Sequence, residues 1–82
     1  MNAFDMYLLN KAGVAQTEVA RQVGISKSKA NRDIISARTS RDGRIVEMSS
    51  ENVHVSDIAR RTGCSPSTVK RIRSRARAVG AL

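Results

Sequence analysis

Apolar residues recur along the chain at the three- and four-residue spacing of amphipathic helices, in blocks broken by glycine or short polar stretches. In residues 3–12, AFDMYLLNKA, Phe4, Tyr7 and Leu8 share one stripe with Met6 and Leu9 beside it, and Gly13 offers the left-handed backbone that ends helices. A second helix is expected from Thr17 as N-cap, with Glu18 in the first turn where the helix dipole favours negative charge. Val19, Ala20 and Val23 point inward and Gly24 stops it. Ser26 caps a third helix, KSKANRDIISAR, with Ala30, Ile34 and Ala37 inward. Residues 39–43, TSRDG, hold no apolar residue and read as a short turn or a fraying helix end. The following GRIVEMSSE, residues 43–51, places Ile45, Val46 and Met48 in either a helix or a short strand. A helix from Ser56 with Ile58 and Ala59 inside then stops at Gly63. The last restarts at Ser65-Pro66, buries Val69, Ile72, Ala76 and Val79, and ends at Gly80. Pro66 suits the first helical position because the N–H it lacks would be unpaired there.

The second half repeats the first at an offset of 39 residues. Gly13 falls on Asn52, Val14 on Val53, Thr17 on Ser56, Glu18 on Asp57, Val19 on Ile58, Ala20 on Ala59 and Arg21 on Arg60. Gly24 falls on Gly63, Ser26 on Ser65, Ser28 on Ser67 and Arg32 on Arg71. Caps, stops and core positions coincide together, which points to duplication of a three-helix unit. The Asn52 stop, matching Gly13, favours helix over strand for 43–51. The expected fold is all-α: two tandem three-helix units, residues 1–39 and 40–82, with about six helices packed as a small bilobed domain. Units near 40 residues bury too little surface to stand alone, so the two must share a core. With one Phe, one Tyr and no Trp, that core is built from aliphatic and small side chains.

Charge changes the picture from fold to partner. Fifteen Lys and Arg face seven Asp and Glu, giving a net charge of +8 and a pI near 11.1. So large an imbalance on a short chain implies a polyanion. Residues 1–39 hold six basic and three acidic residues, and residues 40–82 nine and four, so the second unit should bind phosphate more strongly. RNA is disfavoured because stacking aromatics are nearly absent. Cys64 is the lone cysteine, which suits a reducing compartment. There is no apolar run near the roughly 20 residues that span a bilayer, and no signal-like N-terminus. A soluble protein of the bacterial cytoplasm or nucleoid, without a membrane partner, is expected. His54 and Cys64 are too few for a zinc site. No phosphate-binding glycine loop and no nucleophile beside a base occur, so neither enzymatic activity nor a metal or cofactor is expected.

Two helices joined at a large angle by a tight glycine-containing turn form a helix-turn-helix, whose second helix lies in the DNA major groove. Ala59, Gly63, Val69 and Ile72 fill its close-crossing, turn and core roles in the second unit, and Ala20, Gly24, Ala30 and Ile34 in the first. VSDIARRTGCSPSTVKRI resembles the DNA-binding domains of resolvase and invertase recombinases and of similar regulators and transposases. TEVARQVGISKSKANRDI resembles a more divergent member of the helix-turn-helix superfamily, departing from the pattern at Asp33, where an apolar residue is usual. The resemblance implies that Ser65, Pro66, Ser67, Lys70, Arg71 and Ser74 face the groove in the second unit, and Ser26, Lys27, Ser28, Asn31 and Arg32 in the first.

The chemistry suits double-stranded DNA. Arg can pair with guanine O6 and N7, Asn with adenine N6 and N7, and Ser can donate or accept. For Asn31, Arg32 and Arg71, base readout, phosphate contact and plain solvation all stay open; Ser26 and Ser65 fit helix caps better than base readers. Along the last helix, Lys70, Arg73 and Arg77 form one basic stripe and Arg71 and Arg75 another, placed to meet phosphates on the groove walls. Arg41, Gly43 and Arg44 fit a simple polar linker better than an arm entering an A·T-rich minor groove. The function expected is sequence-specific binding by two recognition helices, as in a small transcriptional repressor or a plasmid or phage DNA-maintenance protein acting on repeated sites. Two other readings stand beside it. One is the N-terminal end-binding module of a transposase or recombinase, with a C-terminal domain beyond Leu82. The other gives DNA to one unit and a protein partner to the other, and a homo-oligomer stays open beside both.

Overall fold

The computed structural model describes all 82 residues, and they form six helices: α1 (Ala3–Lys11), α2 (Gln16–Val23), α3 (Lys27–Thr39), α4 (Arg41–Ser50), α5 (Val55–Thr62) and α6 (Pro66–Ala78). The repeat governs the bounds of the second and third helices of each unit to the residue. The bounds of α5 and α6 are those of α2 and α3 moved by 39 positions. Gly24 and Gly63 end the first helix of each motif at φ +81° and +72°. In both, the next residue closes the turn, Ile25 N–H donating to Ala20 O and Cys64 N–H to Ala59 O, each at 3.1 Å. This left-handed stop satisfies the last helical carbonyls and reverses the chain within two residues. Gly13 and Asn52 also share positive φ, and Asn52 is the one non-glycine residue in that region.

Three expectations are corrected. Thr17 and Ser56 are not N-caps: α2 and α5 each start one residue earlier, at Gln16 and Val55. Ala15 caps α2 without a side-chain bond, whereas the His54 ring caps α5, its Nδ1 accepting from Ser56 N–H at 3.2 Å. Residues 39–43 form neither a turn nor a frayed end, since Thr39 closes α3 and Arg41 opens α4, and Arg41, Gly43 and Arg44 are neither a linker nor an arm. Ser40 alone separates α3 from α4 and serves both, donating from Oγ to Ala37 O at 2.6 Å and accepting from Gly43 N–H at 3.2 Å. Arg41, Gly43 and Arg44 therefore lie in the first turn of α4, which is helical throughout. Gly43 is needed because α3 ends directly above it. A Cβ there would clash with Ala37 O and sit 2.6 Å from Arg38 O. Finally, Val79 is 42% exposed rather than core. The helix stops before it, and Ala81 folds back to occupy the interior, with its N–H on Ala76 O at 2.8 Å.

One core joins both units. Sixteen buried apolar residues form a single cluster drawing on all six helices, with no buried polar or charged residue among them. The interior shows no break between Thr39 and Ser40. Met6, Tyr7 and Leu8 are consecutive and all buried, because α1 is covered on more than one side. It packs on α2 and α3 of its own unit and on α4 of the other. Tyr7 OH donates to Glu47 of α4, and Lys11 Nζ lies 3.0 Å from the same carboxylate. Burial opposes ionisation of Glu47, but the Tyr7 hydroxyl and the Lys11 ammonium outweigh it and hold the carboxyl below its ordinary value. The molecule measures 37 × 20 × 19 Å.

Candidate nucleic-acid interface

In each unit the small residue at the crossing, Ala20 or Ala59, is buried and lets the following helix pass close above it. Val69, Ile72 and Ala76 anchor α6, and Ala30, Ile34 and Ala37 anchor α3. The anchors differ by one position. Asp33 occupies the place of Ile72 but is half-buried and paired with Lys29 at 3.3 Å, while the adjacent Ile34 enters the core. The departure at Asp33 is thus absorbed by a local rotation of the buried face, and α3 remains a continuous helix.

Ser26 and Ser65 are caps, as expected: their Oγ atoms accept from Lys29 N–H at 3.2 Å and Thr68 N–H at 3.3 Å. Both start helices of 13 residues. Pro66 takes the first position of α6. Lys27, Ser28, Asn31 and Arg32 on α3, and Pro66, Ser67, Lys70, Arg71 and Ser74 on α6, are all exposed. Their spacing places them away from the buried anchors, so each helix presents one polar face to solvent.

The two basic stripes of α6 separate as the spacing requires, and then diverge in role. Lys70, Arg73, Ser74 and Arg77 line one polar cleft of about 350 Å³ beside Val55 at the start of α5. Arg73 and Arg77 also line a neighbouring cleft with Ser49, Ser50 and Asn52 from the end of α4. Arg73 is half-buried there, and its Nε has no hydrogen-bond partner. A cleft with three cations and the Ser74 hydroxyl can hold a phosphate. On the other side, Arg71 and Arg75 border a cleft with Phe4 and Asp42. Arg75 does not join the rest: it pairs with Asp5 and lies over the Phe4 ring, 5.4 Å from its centroid. It ties α6 to α1, and its side chain remains half-exposed.

Unpaired cations occur in both units. Lys70, Arg71, Arg73 and Arg77 enter no ion pair, and neither do Lys27 and Arg32 on α3. Asn31 is positioned by Gln16, whose Nε2 donates to Asn31 Oδ1 at 2.8 Å. The sequence reading missed Gln16, Phe4 and Asp5 as partners of site residues. Gln16 and Asn31 stand 15 positions apart, and Asp5 and Arg75 stand 70 apart, so no local pattern links them. Arg41 and Arg44 are engaged within the fold, Arg41 with Asp42 at 3.0 Å and Arg44 Nη2 with Arg61 O at 3.4 Å. No helix is long and apolar enough to cross a membrane, and no group of three or more His, Cys, Asp or Glu could hold a metal ion.

The homeodomain-like domain family model matches residues 36–81, from the last turn of α3 through α6. No curated protein and no solved structure matches the chain. The matched segment covers more than half of the sequence and contains the Gly63 turn, the Ser65 cap and the unpaired cations of α6. The chain belongs to the homeodomain-like family of the helix-turn-helix superfamily, whose fold binds double-stranded DNA.

Proposed function

We propose that the protein binds double-stranded DNA sequence-specifically through α3 and α6 together, as a small regulator or DNA-maintenance factor acting on repeated sites, and that it binds without catalysing a reaction. The observation that carries this reading is the residue-for-residue repetition of α2, Gly24, Ser26 and α3 as α5, Gly63, Ser65 and α6. Each repeat ends in a Ser-capped helix with an exposed polar face. Successive major grooves on one side of B-DNA lie about 34 Å apart. The 37 Å length of the molecule reaches that span only if the reading residues sit towards its two extremities.

Footprinting on duplexes selected from a random pool tests the reading, with alanine at Lys70 and Arg71 in one variant and at Asn31 and Arg32 in another. A footprint near two helical turns is expected, with each double variant losing at least about 1 kcal/mol of specific binding. Unchanged binding after Lys70→Ala/Arg71→Ala would eliminate α6 as a reader. A second reading is favoured by the engagement of Asn31 with Gln16 and of Lys29 with Asp33, and by the lower charge of the first unit. There α6 alone reads DNA and α3 meets a protein. A footprint of about one turn, insensitive to Asn31→Ala/Arg32→Ala, would select it.

A further inference from the structure

Ile35 is 48% exposed and is the one large apolar side chain inside a helix that the fold leaves open to solvent. Scattered surface apolar residues are ordinary, but the position of this one is not arbitrary. Ser28, Asn31, Arg32 and Ile35 follow helical spacing along the exposed face of α3, opposite the buried Ala30, Ile34 and Ala37. Moved by 39 residues, that face is Ser67, Lys70, Arg71 and Ser74 of α6. Ile35 therefore stands where α6 carries a serine directed at the groove.

Isoleucine can neither donate nor accept a hydrogen bond. In a major groove, the group it can recognise is the thymine C5-methyl. Its neighbour one turn earlier, Asn31, is held through Oδ1 by Gln16, and its Nδ2 makes no hydrogen bond within the chain. Nδ2 can donate to adenine N7, while Oδ1, which has a second lone pair beside the Gln16 bond, can accept from adenine N6–H. The α6 face offers cationic donors for guanine at Lys70 and Arg71 and, after Pro66 at its first position, nothing apolar. We infer that Ile35 is a specificity-determining residue that reads a thymine methyl beside an adenine read by Asn31. The α3 half-site is then A·T-containing, whereas the α6 half-site centres on G·C. This inference rests on the two-helix reading proposed above.

The test uses the full chain and a duplex it selects from a random pool. Each thymine is replaced in turn by deoxyuridine, which removes the C5-methyl alone. At one thymine the replacement should weaken binding by about fourfold, the worth of one buried methyl-sized group. Ile35→Ala should bind the thymine and uracil duplexes equally at that position, with helix content unchanged, while Ile35→Val keeps part of the dependence. Identical uracil penalties in the wild type and Ile35→Ala would overturn the inference and leave DNA reading intact. So would a change in self-association on Ile35→Ala, seen by sedimentation, with the methyl dependence unaltered. A pool from which nothing is selected would overturn both the inference and the proposed function.

Discussion

Gly43→Ala should destabilise the protein, although helix propensity alone says the reverse. Alanine in place of glycine inside a helix favours folding by up to about 1 kcal/mol. At Gly43 the added carbon would lie 2.6 Å from Arg38 O and 2.7 Å from its carbonyl carbon, and closer still to Ala37 O. All three are backbone atoms, so no side chain can swing away. Relief requires the end of α3 to lift from the start of α4, and Ser40 holds those two ends together through bonds of 2.6 and 3.2 Å. Overpacking typically costs about 1–3 kcal/mol, and weakening the Ser40 cap about 1 kcal/mol more. Set against the propensity gain, the net loss is about 1–3 kcal/mol. For a domain of this size each kcal/mol lowers Tm by roughly 4–8 °C, so thermal unfolding followed by circular dichroism should show a drop of about 5–20 °C. An unchanged or raised Tm would mean that α3 and α4 do not meet as closely as described. The same junction fixes how the two units are oriented, so the variant should also lose DNA affinity at temperatures where it remains folded.

The remaining predictions concern the inter-unit network and the caps. Tyr7→Phe should cost about 1 kcal/mol at neutral pH, discounted for the partial exposure of Glu47. It should also change the pH profile at both ends. Glu47 is held below its ordinary 4.5, so its contribution is full above that pH and lost as the pH falls below it. Burial and Glu47 push the Tyr7 hydroxyl well above its ordinary 10.0, so its contribution is full below pH 10 and declines above it. Thermal melts across pH should therefore be flatter for Tyr7→Phe on both flanks; parallel curves would refute the linkage. Ser65→Ala should cost about 1 kcal/mol, read as a shifted denaturant midpoint at unchanged slope. A loss of DNA affinity without that shift would make Ser65 a base reader and not a cap.

The repeat was legible because its signals are local. A left-handed stop at Gly24 or Gly63 and a serine cap two residues later depend on a few bonds within one turn, so they survive without tertiary knowledge. The same locality explains the errors. Threonine or serine near a helix start reads as an N-cap, but Val55 already belongs to α5 and the His54 ring supplies the acceptor. Arg41–Gly43 reads as a linker because it has no apolar residue and its glycine looks like a breaker. That glycine is instead set by the approach of α3, a contact that no local pattern reveals. Arg75 fits the alternating basic stripes of α6 as well as any neighbour. Its contacts with Phe4 and Asp5 arrive from α1, which no local pattern shows.

The same α1 contacts bear on how the two reading helices are linked. In a protein with two domains on a flexible tether, the second docking step depends on an effective concentration set by the tether. Here one residue, Ser40, separates α3 from α4, and Tyr7, Lys11 and Glu47 join α1 to α4 above a single core. Under the two-helix reading, spacing and orientation are settled when the chain folds, and the ordering cost is met before DNA is encountered. A shared scaffold also frees the two faces to differ. The first unit carries Asp33 where the second has Ile72, and Ile35 where the second has Ser74, yet the helix bounds stay in register. Duplication with a common core thus allows one short chain to offer two unlike surfaces at a fixed separation, which a symmetric dimer of identical motifs cannot do.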